Sequence, residues 1–150
     1  MPTDSDTQTV EVDAPFADVL ATIRDVESQV DWIPEILEAE LLEVYEGDEL
    51  PATARFKASA AVGTDEYTLS YEHTDNTMSW TMLAGKMQTG QEGCYTLVEL
   101  GPDRTSVTYE LTIHHNLPLP GFVRHRVIKG LVGNTLTGLR KHFEVTSYDS

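Results

Sequence analysis

Five histidines, one cysteine, six tyrosines and 25 carboxylates are the groups in this chain best able to do chemistry. His114 and His115 are consecutive at the end of an alternating stretch, so they point to opposite faces of a strand and do not chelate one ion as a pair. His125 and His142 stand far apart, and His73 lies beside a turn signal. No metal site and no cofactor is expected from this set. His114 or His142 is a candidate lone proton donor inside a pocket, although a solvent-facing ring is the default for each. Cys94 has no partner for a disulfide and no thiolate neighbours for zinc, and it reads as a core residue. With no nucleophile elbow and no Gly-rich phosphate loop, the residues assign no catalytic group.

Aromatic side chains carrying hydroxyls are the more informative set. Tyr67, Leu69 and Tyr71 share one strand parity, as do Met78, Trp80 and Met82, and as do Tyr109 and Ile113. Together with Tyr95, Phe56, Trp32 and Phe122 they can line a pocket with apolar bodies and a few polar tips, or simply fill a core. Tyr95 is the less firmly placed, because its strand has apolar residues on both parities. Arg124 and Arg126 flank the start of a helix near the expected pocket mouth, where either could meet an acidic head group or merely offset local acid.

These residues need elements to position them. Thr9 to Asp13 reads as a short first strand following a flexible tail over residues 1–8. Asp13 can cap a helix that has Pro15 in its first turn and a buried stripe of Phe16, Val19, Leu20 and Ile23. A shorter helical turn covers Val26 to Val30, and Pro34 ends it. From Leu37 the period becomes alternating, with turn signals at Glu46-Gly47-Asp48, Val62-Gly63, Asp75-Asn76 and Gly101-Pro102-Asp103. Six strands in hairpins follow, one face wet and one covered.

The cover is a long last helix to about Glu144, entered through Asn116-Leu117-Pro118-Leu119-Pro120-Gly121. At 100° per residue, Arg126, Lys129, Arg140 and Glu144 turn outward. One inward strip, Val132, Leu136, Leu139 and Phe143, is bulky enough for tight packing. The adjoining strip of Val127, Leu131, Asn134, Thr135 and Gly138 is smaller and more polar, and is assigned to a cavity wall. Glycines at 130, 133 and 138 each disfavour the helix by about 1 kcal/mol relative to alanine. Gly138 implies either a close approach or room for a guest. A curved sheet wrapped around one helix does not pack evenly along its length, so a cavity is expected.

The fold class is therefore α+β, a curved seven-stranded antiparallel sheet around a C-terminal helix, in one domain over residues 9–146. Ten Lys and Arg against 25 Asp and Glu give a formal net charge of -15, which repels phosphate backbones and anionic lipid surfaces. Nucleic acid is not an expected partner. No stretch is long and apolar enough for membrane insertion, and no basic start with an apolar run marks a signal peptide, so a cytoplasmic location is expected.

Several phrases resemble the SRPBCC or START-like superfamily, in particular its bacterial polyketide cyclase/dehydrase-like branch and the small actinobacterial proteins within it. They are Val10-Glu11-Val12-Asp13-Ala14-Pro15, Asp25-Val26-Glu27 with Asp31-Trp32-Ile33-Pro34-Glu35, Tyr67-Thr68-Leu69-Ser70-Tyr71-Glu72, Met78-Ser79-Trp80-Thr81, Gly93-Cys94-Tyr95-Thr96-Leu97, and Leu119-Pro120-Gly121-Phe122 with the helix to Leu139-Arg140-Lys141-His142-Phe143-Glu144. The resemblance implies a helix-grip fold with a deep pocket between sheet and last helix, used in different members for lipids, sterols, quinones, polyketides or hormones. A small hydrophobic molecule is the expected partner, bound or carried by a monomer or weak dimer. The alternatives are a polyketide cyclase/dehydratase in the same pocket, with one Tyr, His or Arg assisting proton transfer, and a protein-interaction module of the ribosome-associated or quinone-chaperone type.

Overall fold

A computed structural model describes the backbone of residues 3–60 and 63–148 and the side chains of these residues up to 144. Seven strands form one antiparallel sheet in the order β1-β7-β6-β5-β4-β3-β2. They are β1 (Thr3–Val12), β2 (Ile36–Val44), β3 (Pro51–Ala60), β4 (Gly63–His73), β5 (Thr77–Gly85), β6 (Gln88–Gly101) and β7 (Arg104–His115). Helix α1 (Phe16–Arg24) and a 3-10 turn (Val26–Asp31) follow β1, and α2 (Gly121–Tyr148) ends the described chain. This is the helix-grip arrangement.

Alternation sets which face is covered. Ala54, Phe56 and Ala58 of β3, Leu69 and Tyr71 of β4, and Val107, Tyr109 and Leu111 of β7 are buried, while their sequence neighbours reach solvent to varying degrees. Val19, Leu20 and Ile23 bury the inner stripe of α1. Val132, Leu136 and Leu139 of α2 are buried with them, and Phe143 packs against that cluster. The solid part of the core thus lies under α1 and the second half of α2.

Several local expectations are corrected. Residues 3–8 belong to β1 and are not a tail: Thr3 pairs with His114 and Gln8 with Tyr109, and the Ser5 and Thr9 hydroxyls bond Thr112 and Thr108 across the sheet at 2.9 Å each. Polar residues mask this strand because its pairing runs through backbone and hydroxyls. Met1, Pro2 and Val62 lie outside the described residues. Pro15 rather than Asp13 occupies the cap of α1: its carbonyl accepts from Asp18 and Val19, and its ring, which has no polar atom to offer, makes no side-chain cap bond. Cys94 is half-buried on the outer face, since inward parity in β6 belongs to Tyr95 and Leu97. A hairpin turn between β5 and β6 at Lys86-Met87 carries no signal among those noted in the sequence.

Candidate functional site: a tyrosine-lined cavity

Between the inner face of the sheet and the first half of α2 lies a cavity of about 510 Å³. Ser59, Arg126, Val127 and Asn134 are exposed members of its lining, which puts the opening between the end of β3 and the first turns of α2. Its inner end is built of stacked rings. Tyr95 and Tyr109 stack with centroids 4.5 Å apart, and Trp80 tilts against both at 5.4 and 5.9 Å. Phe56 and Tyr67 stack at 5.6 Å on the opposite side. Such surfaces present apolar faces with hydroxyl tips.

A hydrogen-bond chain holds the Trp80 ring in place. Its indole N–H donates to Gln91 at 2.9 Å, the Gln91 amide donates to Gln88 at 2.8 Å, and Gln88 donates to Asp65 at 2.9 Å. The second Asp65 oxygen accepts the Met87 N–H at 2.8 Å, so this buried carboxylate is doubly bonded. Glycine at position 93 completes the seat, since a Cβ there would stand 2.2 Å from the indole ring.

A second polar cluster closes the side next to β1. His115 is buried and enters the cavity wall, with Nε2 2.6 Å from Asp4, whose other oxygen lies 3.5 Å from Arg124 Nε. The Leu117 N–H donates to His115 Nδ1 at 3.1 Å, so Nδ1 is unprotonated and the ring proton on Nε2 is donated to Asp4. Both nitrogens are committed to the protein. The tyrosines carry a different signature: burial pushes Tyr71 and Tyr95 well above their ordinary range, and burial reinforced by neighbouring groups, Glu35 among them, raises Tyr67 and Tyr109. Phenols held neutral in this way can donate hydrogen bonds to a guest but are poor bases.

This arrangement, a sheet gripping a helix with a cavity at one end, matches a known family along nearly the whole chain. The family model described as polyketide cyclase/dehydrase and lipid transport covers residues 5–144. The chain belongs to this family. Among solved structures, it is similar to a START superfamily protein from Mycobacterium smegmatis, with 24% identity over 95% of this chain and 98% of that one and a TM-score of 0.87. The Zhui aromatase/cyclase from Streptomyces sp. R1128 is similar at 16% identity, covering 95% and 94% of the two chains, with a TM-score of 0.79. A STAR-related lipid transfer protein from Xanthomonas axonopodis is similar at 19% identity, covering 93% and 85%, with a TM-score of 0.69. At these identities the structural likeness establishes the fold. No functionally curated protein matches the sequence.

Within this member of the polyketide cyclase/dehydrase and lipid transport family, the expected lining residues separate into two groups. Phe56, Tyr67, Leu69, Tyr71, Trp80, Tyr95, Tyr109 and Ile113 of the sheet border the cavity, as do Val127, Leu131 and Thr135 of α2. Five others do not. Met78 is buried in the solid core, and Trp32 is buried edge-on to Tyr95 at 6.4 Å, outside the lining. Met82 folds back over Gly85 of its own strand. Phe122 is 69% exposed on the outside of α2. Gly138 is a close approach and not a cavity wall: a Cβ there would stand 1.8 Å from the Trp32 carbonyl oxygen.

His115, not His114, is the histidine of the cavity, because parity along β7 runs Tyr109, Leu111, Ile113, His115. His114 stays on the outer face with Thr3 and Glu92. Asp4, Asp65, Gln88 and Gln91 also border the cavity and were not singled out in the sequence. The signal available for Asp65 was its inward parity with Tyr67 and Leu69. Asp4 gave none while its strand looked like a tail.

Proposed function

We propose that the domain binds and carries a small, largely apolar molecule in the cavity between sheet and α2. The observation that carries this reading is the cavity itself, about 510 Å³ walled mostly by rings and aliphatic side chains, with polar groups gathered at a few points of its wall. A solid core would have brought α2 down on the sheet along its whole length. Planar or unsaturated guests suit the Trp80, Tyr95 and Tyr109 rings, and the neutral phenols offer hydrogen bonds to a carbonyl or hydroxyl.

A cyclase acting on a polyketide in the same pocket is supported by those phenols and by the likeness to an aromatase/cyclase. The commitment of both His115 nitrogens and the raised tyrosines weigh against either as a proton-abstracting base, and carriage, which needs no base, is preferred. Native mass spectrometry of freshly purified protein, with organic extraction of what travels with it, tests occupancy. Thr135→Phe tests the location. Thr135 borders the cavity and spends its hydroxyl on the Leu131 carbonyl of its own helix at 2.8 Å. The substitution should leave the melting temperature nearly unchanged while uptake of a neutral apolar dye falls sharply. Overpacking a filled core would instead cost about 1–3 kcal/mol. Marked destabilisation, with no dye uptake by the parent chain, would remove the carrier reading.

A further inference from the structure

The net charge of -15 conceals an uneven distribution. Residues 116–143 contain no Asp or Glu but five of the ten Lys and Arg, so all 25 acids lie elsewhere in the chain. At the start of α2, Phe122, His125, Arg126 and Lys129 follow an i, i+3, i+4, i+7 spacing and are all exposed on one helix face. Phe122 is the most exposed large hydrophobic residue among those described, at 69%. Pro118, Pro120 and Gly121 beside it are exposed and uncharged. Arg55, Lys57, Arg104 and Arg140 each pair with a carboxylate. Among the described residues neither Arg126 nor Lys129 does so. The cavity opening is adjacent, because Arg126 and Val127 belong to its lining.

We infer that this stripe docks the domain reversibly on an anionic lipid surface, with Phe122 entering the interface beside the cavity opening. An exposed aromatic flanked by unpaired cations is the composition of an interfacial helix face. An acidic protein would satisfy the cations as well, but it leaves no reason for an exposed, uncharged segment carrying a bare ring beside the mouth of an apolar cavity. Two acids lie close to this end of α2, Asp4 engaged by Arg124 and His115 and Asp6 by the Gln8 amide. The more distant ones do not forbid the contact, since the Debye length is about 8 Å at physiological ionic strength and charges beyond it are largely screened from the bilayer. Docking would bring the opening against the lipid from which an apolar guest enters, and only this purpose rests on the carrier reading.

The test is cosedimentation of the full chain at physiological salt with vesicles of phosphatidylcholine alone and of phosphatidylcholine mixed with phosphatidylglycerol. Binding is expected to the mixed vesicles and not to the neutral ones. Lys129→Ser should weaken it about fivefold, the worth of one cation at an anionic surface, and Phe122→Ser should weaken it further. Neither residue lines the cavity, so both variants should keep the parent's melting temperature and its uptake of a neutral apolar dye in vesicle-free solution. Parent chain that ignores anionic vesicles, or binding that neither substitution alters, overturns the assignment. Retention on immobilised polyglutamate that depends on Phe122, without vesicle binding, assigns the stripe to an acidic protein instead. Failure of dye uptake with intact vesicle binding removes the carrier reading and leaves the docking surface standing.

Discussion

Gly138 and Gly130 share one helix and one residue type, yet their surroundings give them opposite roles. Helix propensity alone makes alanine better than glycine by about 1 kcal/mol at either position. A Cβ at 130 meets nothing within 4 Å, whereas at 138 it would stand 1.8 Å from the Trp32 carbonyl oxygen. Gly130→Ala is therefore expected to raise stability by up to about 1 kcal/mol, and Gly138→Ala to lower it by about 1–3 kcal/mol or more, as in an overpacked site. Denaturant melts of the two variants check the signs, and stabilisation by both would show that the turn before β2 does not press on α2. The spacing of glycines was legible in the sequence. Which one faces a backbone was not, because the carbonyl it meets is about a hundred residues away in the chain.

At the scale of elements, β1 and α2 were read with unequal success for one reason. The apolar strips of α2 have a helical period, and Val132, Leu136 and Leu139 are buried as that period requires. In β1, Thr3 to Gln8 show no apolar residue, so the rule for strands finds nothing. Pairing with β7 supplies what the side chains lack, and Asp4 and Gln8 add bonds to His115 and to the Lys129 carbonyl. Removing residues 2–8 should accordingly cost more than about 2 kcal/mol, since each internal hydrogen bond nets about 0.5–1.5 kcal/mol. It should also loosen the cavity wall at His115, seen as weaker dye uptake. A shortened chain with unchanged melting temperature would restore the view of this segment as a tail.

Across the whole molecule, the buried phenols make stability depend on pH at the alkaline end. Tyr67, Tyr71, Tyr95 and Tyr109 border the cavity, and burial raises all four above their ordinary range. In the unfolded chain they ionise near pH 10. Because the folded state holds these protons to higher pH, their contribution is fully present below about pH 10 and is lost as pH rises beyond it. Absorbance at 295 nm should show these four ionising together with loss of the far-ultraviolet circular dichroism signal. Four independent ionisations near pH 10 in a folded protein would mean that the rings are solvated.

The sequence by itself determined the order of elements, the inward parity of Phe56, Tyr67, Tyr71, Trp80 and Tyr109, and the solid strip of α2, because these follow from local periodicity. It also contained the acid-free span from 116 to 143, which a single net charge obscures. The tertiary structure decided what depends on meetings between distant segments. It alone set Trp80 over Gly93 and Trp32 against Gly138, and it tied His115 to both Asp4 and Leu117. Polar networks of this kind leave no period in a sequence, because each member is placed by a partner on another strand or turn, and only folding brings those partners within hydrogen-bond reach.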